Sequence, residues 1–131
     1  MSSQQEPIAV AVARAHVDAW ARHDYDAARE SLAQDVRVSA TSVDAGLPVT
    51  DLTGIDSYMD GLVQFGQAVL PGTTSVNTSV GDDTRVLLQV SSRVKFGPDA
   101  PEMTLHGSRL YLLDENQRIK HEKVIFYVTA Q

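Results

Sequence analysis

TRVLLQVSSRVKFGPDAPEMTLHGSRLYLLDENQRIKHEKVIFYV, residues 84–128, is the stretch that decides the fold. Within Thr84–Phe96, Val86, Leu88, Val90, Val94 and Phe96 alternate with Arg85, Gln89, Ser91, Arg93 and Lys95. That is the period of a half-buried strand. Leu87 and Ser92 depart from it. Gly97-Pro98-Asp99-Ala100-Pro101-Glu102 ends the run, because proline cannot donate to a ladder and glycine supplies a turn. A second strand is expected over Met103–Leu113 and a third over Arg118–Val128, joined by the polar turn Asp114-Glu115-Asn116-Gln117.

These loop lengths set an expected register. Phe96 should face Met103 and Val90 should face Arg109; Leu113 should face Arg118 and Arg109 should face Glu122. The expected core face holds Met103, Leu105, Gly107, Arg109, Tyr111 and Leu113 from the second strand. The third adds Glu122, Val124, Phe126 and Val128, with Arg118 and Lys120 near the turn. A slip of one residue would reverse every side chain, and both hairpins agree on the apolar face.

Arg109 and Glu122 thus fall together on an apolar face. Neither charge is tolerable there alone; paired and hydrogen-bonded, both are. One reading is a structural ion pair. The other is a polar patch on the floor of a ligand pocket beside Tyr111. Arg109 would then hold a carboxylate or enolate oxygen, and Glu122 would act as acid or base.

The bulk numbers narrow the classes. A chain of 131 residues reads as one domain, 1–131, with a substantial core. The net charge is −6 and no Lys/Arg cluster occurs, which argues against nucleic acid and anionic membrane as partners. The absence of cysteine removes disulfides and thiolate chemistry and fits a cytoplasmic protein. No apolar run reaches membrane length. Residues 1–7 lack the basic and apolar regions of a signal peptide and are expected to be flexible.

Upstream, Ala9, Val12, Ala13, His16, Val17 and Trp20 form one stripe of a helix over Ile8–Ala21. A histidine inside such a stripe is more often a core residue than a catalyst, and if buried it needs a partner at each nitrogen. Asp24 caps a second expected helix, Tyr25–Ala33. A short strand over 36–40 and a loop over 41–52 follow. Thr53 is expected to cap a third helix whose inward stripe is Ile55, Tyr58, Met59, Leu62, Val63 and Gly66, ended by Pro71-Gly72. A weaker strand, 74–80, leads into the main sheet. Helix, helix, strand, helix and four strands make an α+β fold, with helices on one face of a curved antiparallel sheet.

At this point the chain resembles the nuclear-transport-factor-2-like superfamily, in its SnoaL-like and ketosteroid-isomerase-like branch. The carriers are AHVDAWARHDYDAA at residues 15–28, AQDVRV at 33–38, Thr53-Gly54-Ile55 and the last hairpin. The resemblance implies a cone-shaped, cystatin-like sheet wrapped around three helices, with a pocket at the open end. It also implies a homodimer through the outer sheet face, here expected to carry Leu87, Leu110, Leu112, Ile119, Ile125 and Tyr127. Ketosteroid isomerase carries its proton-transfer Asp on the first strand, a position that looks like Ala40 here. The oxyanion-hole Tyr falls near His16 and the protonated Asp near Arg109. The His and Asp pair of SnoaL-type cyclases does not appear at its usual places. An Asp–Arg–Asp network of the epoxide-hydrolase kind finds only Glu122 near Arg109.

The leading expectation is therefore a SnoaL-like protein of unassigned activity that binds a small hydrophobic molecule without a cofactor. Trp20, Tyr58, Met59, Val90, Tyr111 and Phe126 would line the pocket, and His16, Arg109 and Glu122 would anchor the ligand. An alternative is a cofactor-independent isomerase, dehydratase or cyclase acting on a polyketide- or steroid-like substrate. His16 or Glu122 would move the proton and Arg109 would stabilise the oxyanion. A third is a dimerisation module whose cone is filled by side chains. His16, His23, His106 and His121 lack the spacing of metal ligands.

Overall fold

A computed structural model describes residues 6–43 and 50–130. Its elements are α1 (Ile8–Ala21), α2 (Tyr25–Glu30), β1 (Leu32–Ser42), β2 (Thr50–Thr53), α3 (Ile55–Ala68), β3 (Ser75–Gly81), β4 (Arg85–Val94), β5 (Met103–Leu113) and β6 (Ile119–Thr129). The strands form one sheet in the order β2-β1-β6-β5-β4-β3. The fold is α+β as expected, with the helices packed on the sheet's apolar face. The expected flexibility of 1–7 lies largely outside the described residues, as does half of the loop over 41–52, residues 44–49.

α1 buries Ala9, Val10, Ala13, His16, Val17, Ala19 and Trp20. The Asp24 side chain accepts from the Ala27 amide at 3.2 Å and starts α2. That helix stops at Glu30, three residues before the expected end. The Ser31 carbonyl accepts from the Ile119 amide at 2.8 Å, and Leu32 is already paired with Ile119. Sheet pairing thus overrides the local helical pattern. β1 runs parallel to β6, so the sheet is mixed where an all-antiparallel one was expected.

β2 was missed inside the expected loop. It is antiparallel to β1, and Arg37 binds Asp51 across the pair at 2.9 Å. Thr53 belongs to this strand and does not cap α3. Gly54, at φ 95°, occupies the cap position without a side-chain hydrogen bond. Glycine adopts that backbone freely where other residues are strained.

Both hairpins differ from the expected register by two residues. Val90 pairs with Gly107 and Leu88 with Arg109; Arg109 pairs with Val124 and Tyr111 with Glu122. An even shift preserves the faces, so the core assignment survives while the opposite partners change. The first loop is longer because β4 leaves β5 after Val94. Its end bonds instead to the chain after α3, through Lys95 N to Ala68 O at 2.8 Å and Leu70 N to Arg93 O at 2.9 Å. At the second turn Asp114 Oδ1 accepts from the Asn116 and Arg118 amides. A bulge then leaves Lys120 without an opposite residue. It reverses the alternation beyond it. Ile119, expected on the outer face, is therefore fully buried, and Lys120 is exposed.

Candidate functional site

The polar centre lies where α1, α3, β5 and β6 converge. Arg109 Nη1 donates to Glu122 Oε2 at 2.9 Å, with only 8% and 3% of the two side chains exposed. Because Arg109 stands opposite Val124, the pair forms on the ladder diagonal. The Tyr58 hydroxyl, from α3, donates to Glu122 Oε1. Behind Tyr58, His16 Nε2 lies 3.0 Å from the same hydroxyl oxygen, and His16 Nδ1 lies 3.0 Å from the Ala28 carbonyl. Both ring nitrogens of this fully buried histidine thus face an oxygen.

Aromatic rings brace the arginine. Its guanidinium carbon sits 5.0 Å from the Trp20 ring centre and 5.3 Å from that of Phe65. Desolvated cation–π contacts of this kind contribute about 1–2 kcal/mol. Trp20 Nε1, Arg109 Nε and Tyr111 Oη are buried without a hydrogen-bond partner. Burial, then the nearby Glu122 carboxylate, pushes the Tyr111 phenol well above its ordinary pKa, without a hydrogen bond of acceptable geometry between them.

The electrostatics follow from burial and neighbours. Desolvation holds the His16 imidazole below its ordinary pKa, with Arg109 acting in the same direction and Glu122 opposing. Burial alone would raise the Glu122 carboxyl; the Arg109 guanidinium, helped by His16 and the Tyr58 hydroxyl, outweighs it and keeps Glu122 below the usual carboxylate range. Burial, then Glu122, pushes Tyr58 well above the ordinary phenol value. The resting cluster is a neutral imidazole, a phenol, a carboxylate and a guanidinium.

A cavity of about 250 Å³ opens onto this cluster. Val38 and Ala40 of β1 and Thr50 and Leu52 of β2 form one side. α3 contributes Tyr58, Gly61, Leu62 and Phe65. Phe96, Leu105, Val124 and Phe126 complete the apolar wall, and Arg109 and Glu122 form its polar part. Of the residues expected to line a pocket, Tyr58 and Phe126 do. Trp20, Met59, Val90 and Tyr111 are instead buried in the core. Arg109 and Glu122 reach the cavity; His16 connects to it only through Tyr58. Ala40, where the resemblance would set a proton-transfer Asp, presents a methyl group.

Phe65 was missed, although it lies seven residues after Tyr58 on the same helical stripe. Tyr58's bridging role had no local signal, since it depends on a contact 64 residues away. Among the described residues no group of three or more His, Asp or Glu side chains could hold a metal ion. No helix there is long and apolar enough to cross a membrane.

The family profile described as a SnoaL-like domain matches residues 13–122. No curated protein matches the chain. Solved structures share the fold at low identity. A Mycobacterium tuberculosis protein in complex with estradiol-17beta-hemisuccinate superposes with TM-score 0.74 at 11% identity, covering 91% of this chain and 93% of that one. An M. tuberculosis LEH-like epoxide hydrolase gives TM-score 0.68 at 17% identity, covering 91% and 82%. A protein from Shewanella denitrificans, assigned as a SnoaL-like polyketide cyclase, gives 0.71 at 17% identity, covering 92% and 91%. These likenesses establish the architecture, and the profile match over most of the chain establishes the lineage: the protein belongs to the SnoaL-like domain family.

Proposed function

We propose that this protein binds a compact, mostly apolar, oxygen-bearing molecule in the cavity, with the ligand's oxygen directed at Tyr58, Arg109 and Glu122. The observation that carries this reading is the wall itself. Aliphatic and aromatic side chains surround three polar groups that are already joined by hydrogen bonds, the composition of a small-molecule site. The volume favours one or two rings. A cavity of about 150 Å³ takes benzene, and this one is about 250 Å³.

The test is calorimetric titration with paired ligands of equal size, such as 2-naphthol and naphthalene. The oxygenated member should bind at least about tenfold more tightly, one good hydrogen bond's worth. Equal affinity would leave the polar cluster without a part in recognition.

A second reading is acid–base catalysis by the same groups, favoured by the ready-made contact chain from His16 through Tyr58 to Glu122. Glu122 would take or give the proton, Arg109 would stabilise the oxyanion, and His16 would act through Tyr58. Loss of turnover in Glu122→Gln with the fold intact would support it; unchanged turnover would remove it. The outer sheet face is proposed as a homodimer surface. Ile125 and Tyr127 are 55% and 45% exposed there, and Leu87, two strands away on β4, is 39% exposed. Analytical ultracentrifugation of wild type and Ile125→Glu tests this: the wild type should sediment as a dimer and the variant as a monomer.

A further inference from the structure

The contacts running from Ala28 to Glu122 have room for one more hydrogen than their residues ordinarily carry. The Ala28 carbonyl only accepts, so His16 Nδ1, 3.0 Å away, carries a hydrogen. The contact from His16 Nε2 to Tyr58 Oη needs one, and so does the contact from Tyr58 Oη to Glu122 Oε1. A neutral imidazole, a phenol and a carboxylate supply two hydrogens for these three contacts. The titratable groups facing Glu122 are His16 of α1, Tyr58 of α3 and Arg109 and Tyr111 of β5. Among them Arg109 is the fixed cation, and it keeps Glu122 ionised while Glu122 is its counter-ion.

Placed on His16, the third hydrogen would make a second buried cation near Arg109; placed on Glu122, it requires another anion to take over the guanidinium. We infer that the cavity's ligand is a weak oxygen acid, a phenol or enol on a compact apolar body, which binds as its anion beside Arg109 while its proton passes to Glu122. This rests on the ligand-binding reading above. The ligand O–H bond breaks and an O–H bond forms on Glu122. Glu122, now a carboxylic acid, donates to Tyr58 Oη, and the Tyr58 hydroxyl turns to donate to His16 Nε2. All three contacts are then filled and no electrons are exchanged. The net charge of the buried cluster is also unchanged: guanidinium with carboxylate before, guanidinium with ligand anion after. The exchange therefore avoids the cost of burying a new net charge. His16 is a positioning residue in this scheme. Its Nδ1–H, fixed on Ala28, keeps Nε2 as the lone pair that accepts from Tyr58.

The experiment uses 4-nitrophenol at a pH where the free molecule is neutral. Visible absorption reads the bound phenolate, and infrared difference spectra read a protonated carboxyl. The bound ligand should show the phenolate band, with a carboxylic-acid band that is lost in Glu122→Gln. His16→Asn, which keeps a donor to Ala28 and loses the acceptor for Tyr58, should still bind. Its ratio of bound phenolate to neutral phenol should fall by about tenfold, one pKa unit. Neutral 4-nitrophenol bound to the wild type, with neither band, would overturn the inference and leave the binding reading standing. Failure of 4-nitrophenol and of 2-naphthol to bind at all would overturn both.

Discussion

Arg109 and Glu122 meet across the diagonal of the β5–β6 ladder, at 2.9 Å, with Tyr111 directly opposite Glu122 and Val124 directly opposite Arg109. The geometry leaves one carboxylate oxygen for the arginine and the other for Tyr58 of α3. The ion pair therefore also fastens a helix to the sheet floor. Removing one partner strands the other charge in a buried site, which costs about 3–5 kcal/mol. Arg109→Met and Glu122→Gln should each lower stability by that order in urea denaturation. The double variant Arg109→Met/Glu122→Gln should lose less than the sum of the two single changes.

The two buried tyrosines should respond differently to loss of the hydroxyl. Tyr58→Phe leaves Glu122 Oε1 without its donor, at a cost of about 1–3 kcal/mol. The Tyr111 hydroxyl has no hydrogen-bond partner. Tyr111→Phe removes a buried, unpartnered hydroxyl, so stability should hold or rise. Parallel thermal melts compare them; equal losses would contradict the hydrogen-bond assignment.

Acid should destabilise the protein in two stages. His16 is held below its ordinary value of 6.5 in the folded state. As pH falls below 6.5 the unfolded chain binds a proton that the folded chain refuses, so stability is lost from there down to the folded pKa. Glu122 is held below its ordinary 4.5. Its contribution is present above 4.5 and is lost as pH falls through its folded value. Urea midpoints should therefore begin to drop near pH 6.5 in the wild type. The drop should be absent from that first window in His16→Asn.

Gly61 offers a test of the cavity wall. A methyl group there would sit 2.9 Å from Leu52 Cδ1, and both residues line the cavity. The leucine tip must swing aside. Gly61→Ala should therefore weaken binding of two-ring ligands several-fold while leaving single-ring ligands nearly unchanged, read by calorimetric titration.

Much of this was legible from local pattern. The α1 stripe placed His16 and Trp20 inward, and the alternation in β4, β5 and β6 placed Arg109, Tyr111 and Glu122 on one face. What escaped was set by distant contacts. β1 begins at Leu32 because β6 pairs with it, and β2 exists because Arg37 and its neighbours offer an edge. The two-residue register shifts came from turn chemistry at Asp114 and from β4 bonding the segment after α3. Neither has a signature in periodicity. The cavity wall was read only in part, because inward-facing side chains divide between solid core and open space. Trp20 and Tyr111 fell to the core, while Phe65 and Leu62 fell to the cavity.

The proposed function turns on whether the cavity receives a compact oxygenated molecule at its polar end. Its most direct test is a crystal structure of the protein grown with 2-naphthol. The rings should lie between Leu62, Phe65 and Val124, with the ligand oxygen within hydrogen-bond distance of Tyr58, Arg109 or Glu122. Naphthol seated elsewhere, or with its oxygen turned away from all three, would contradict it.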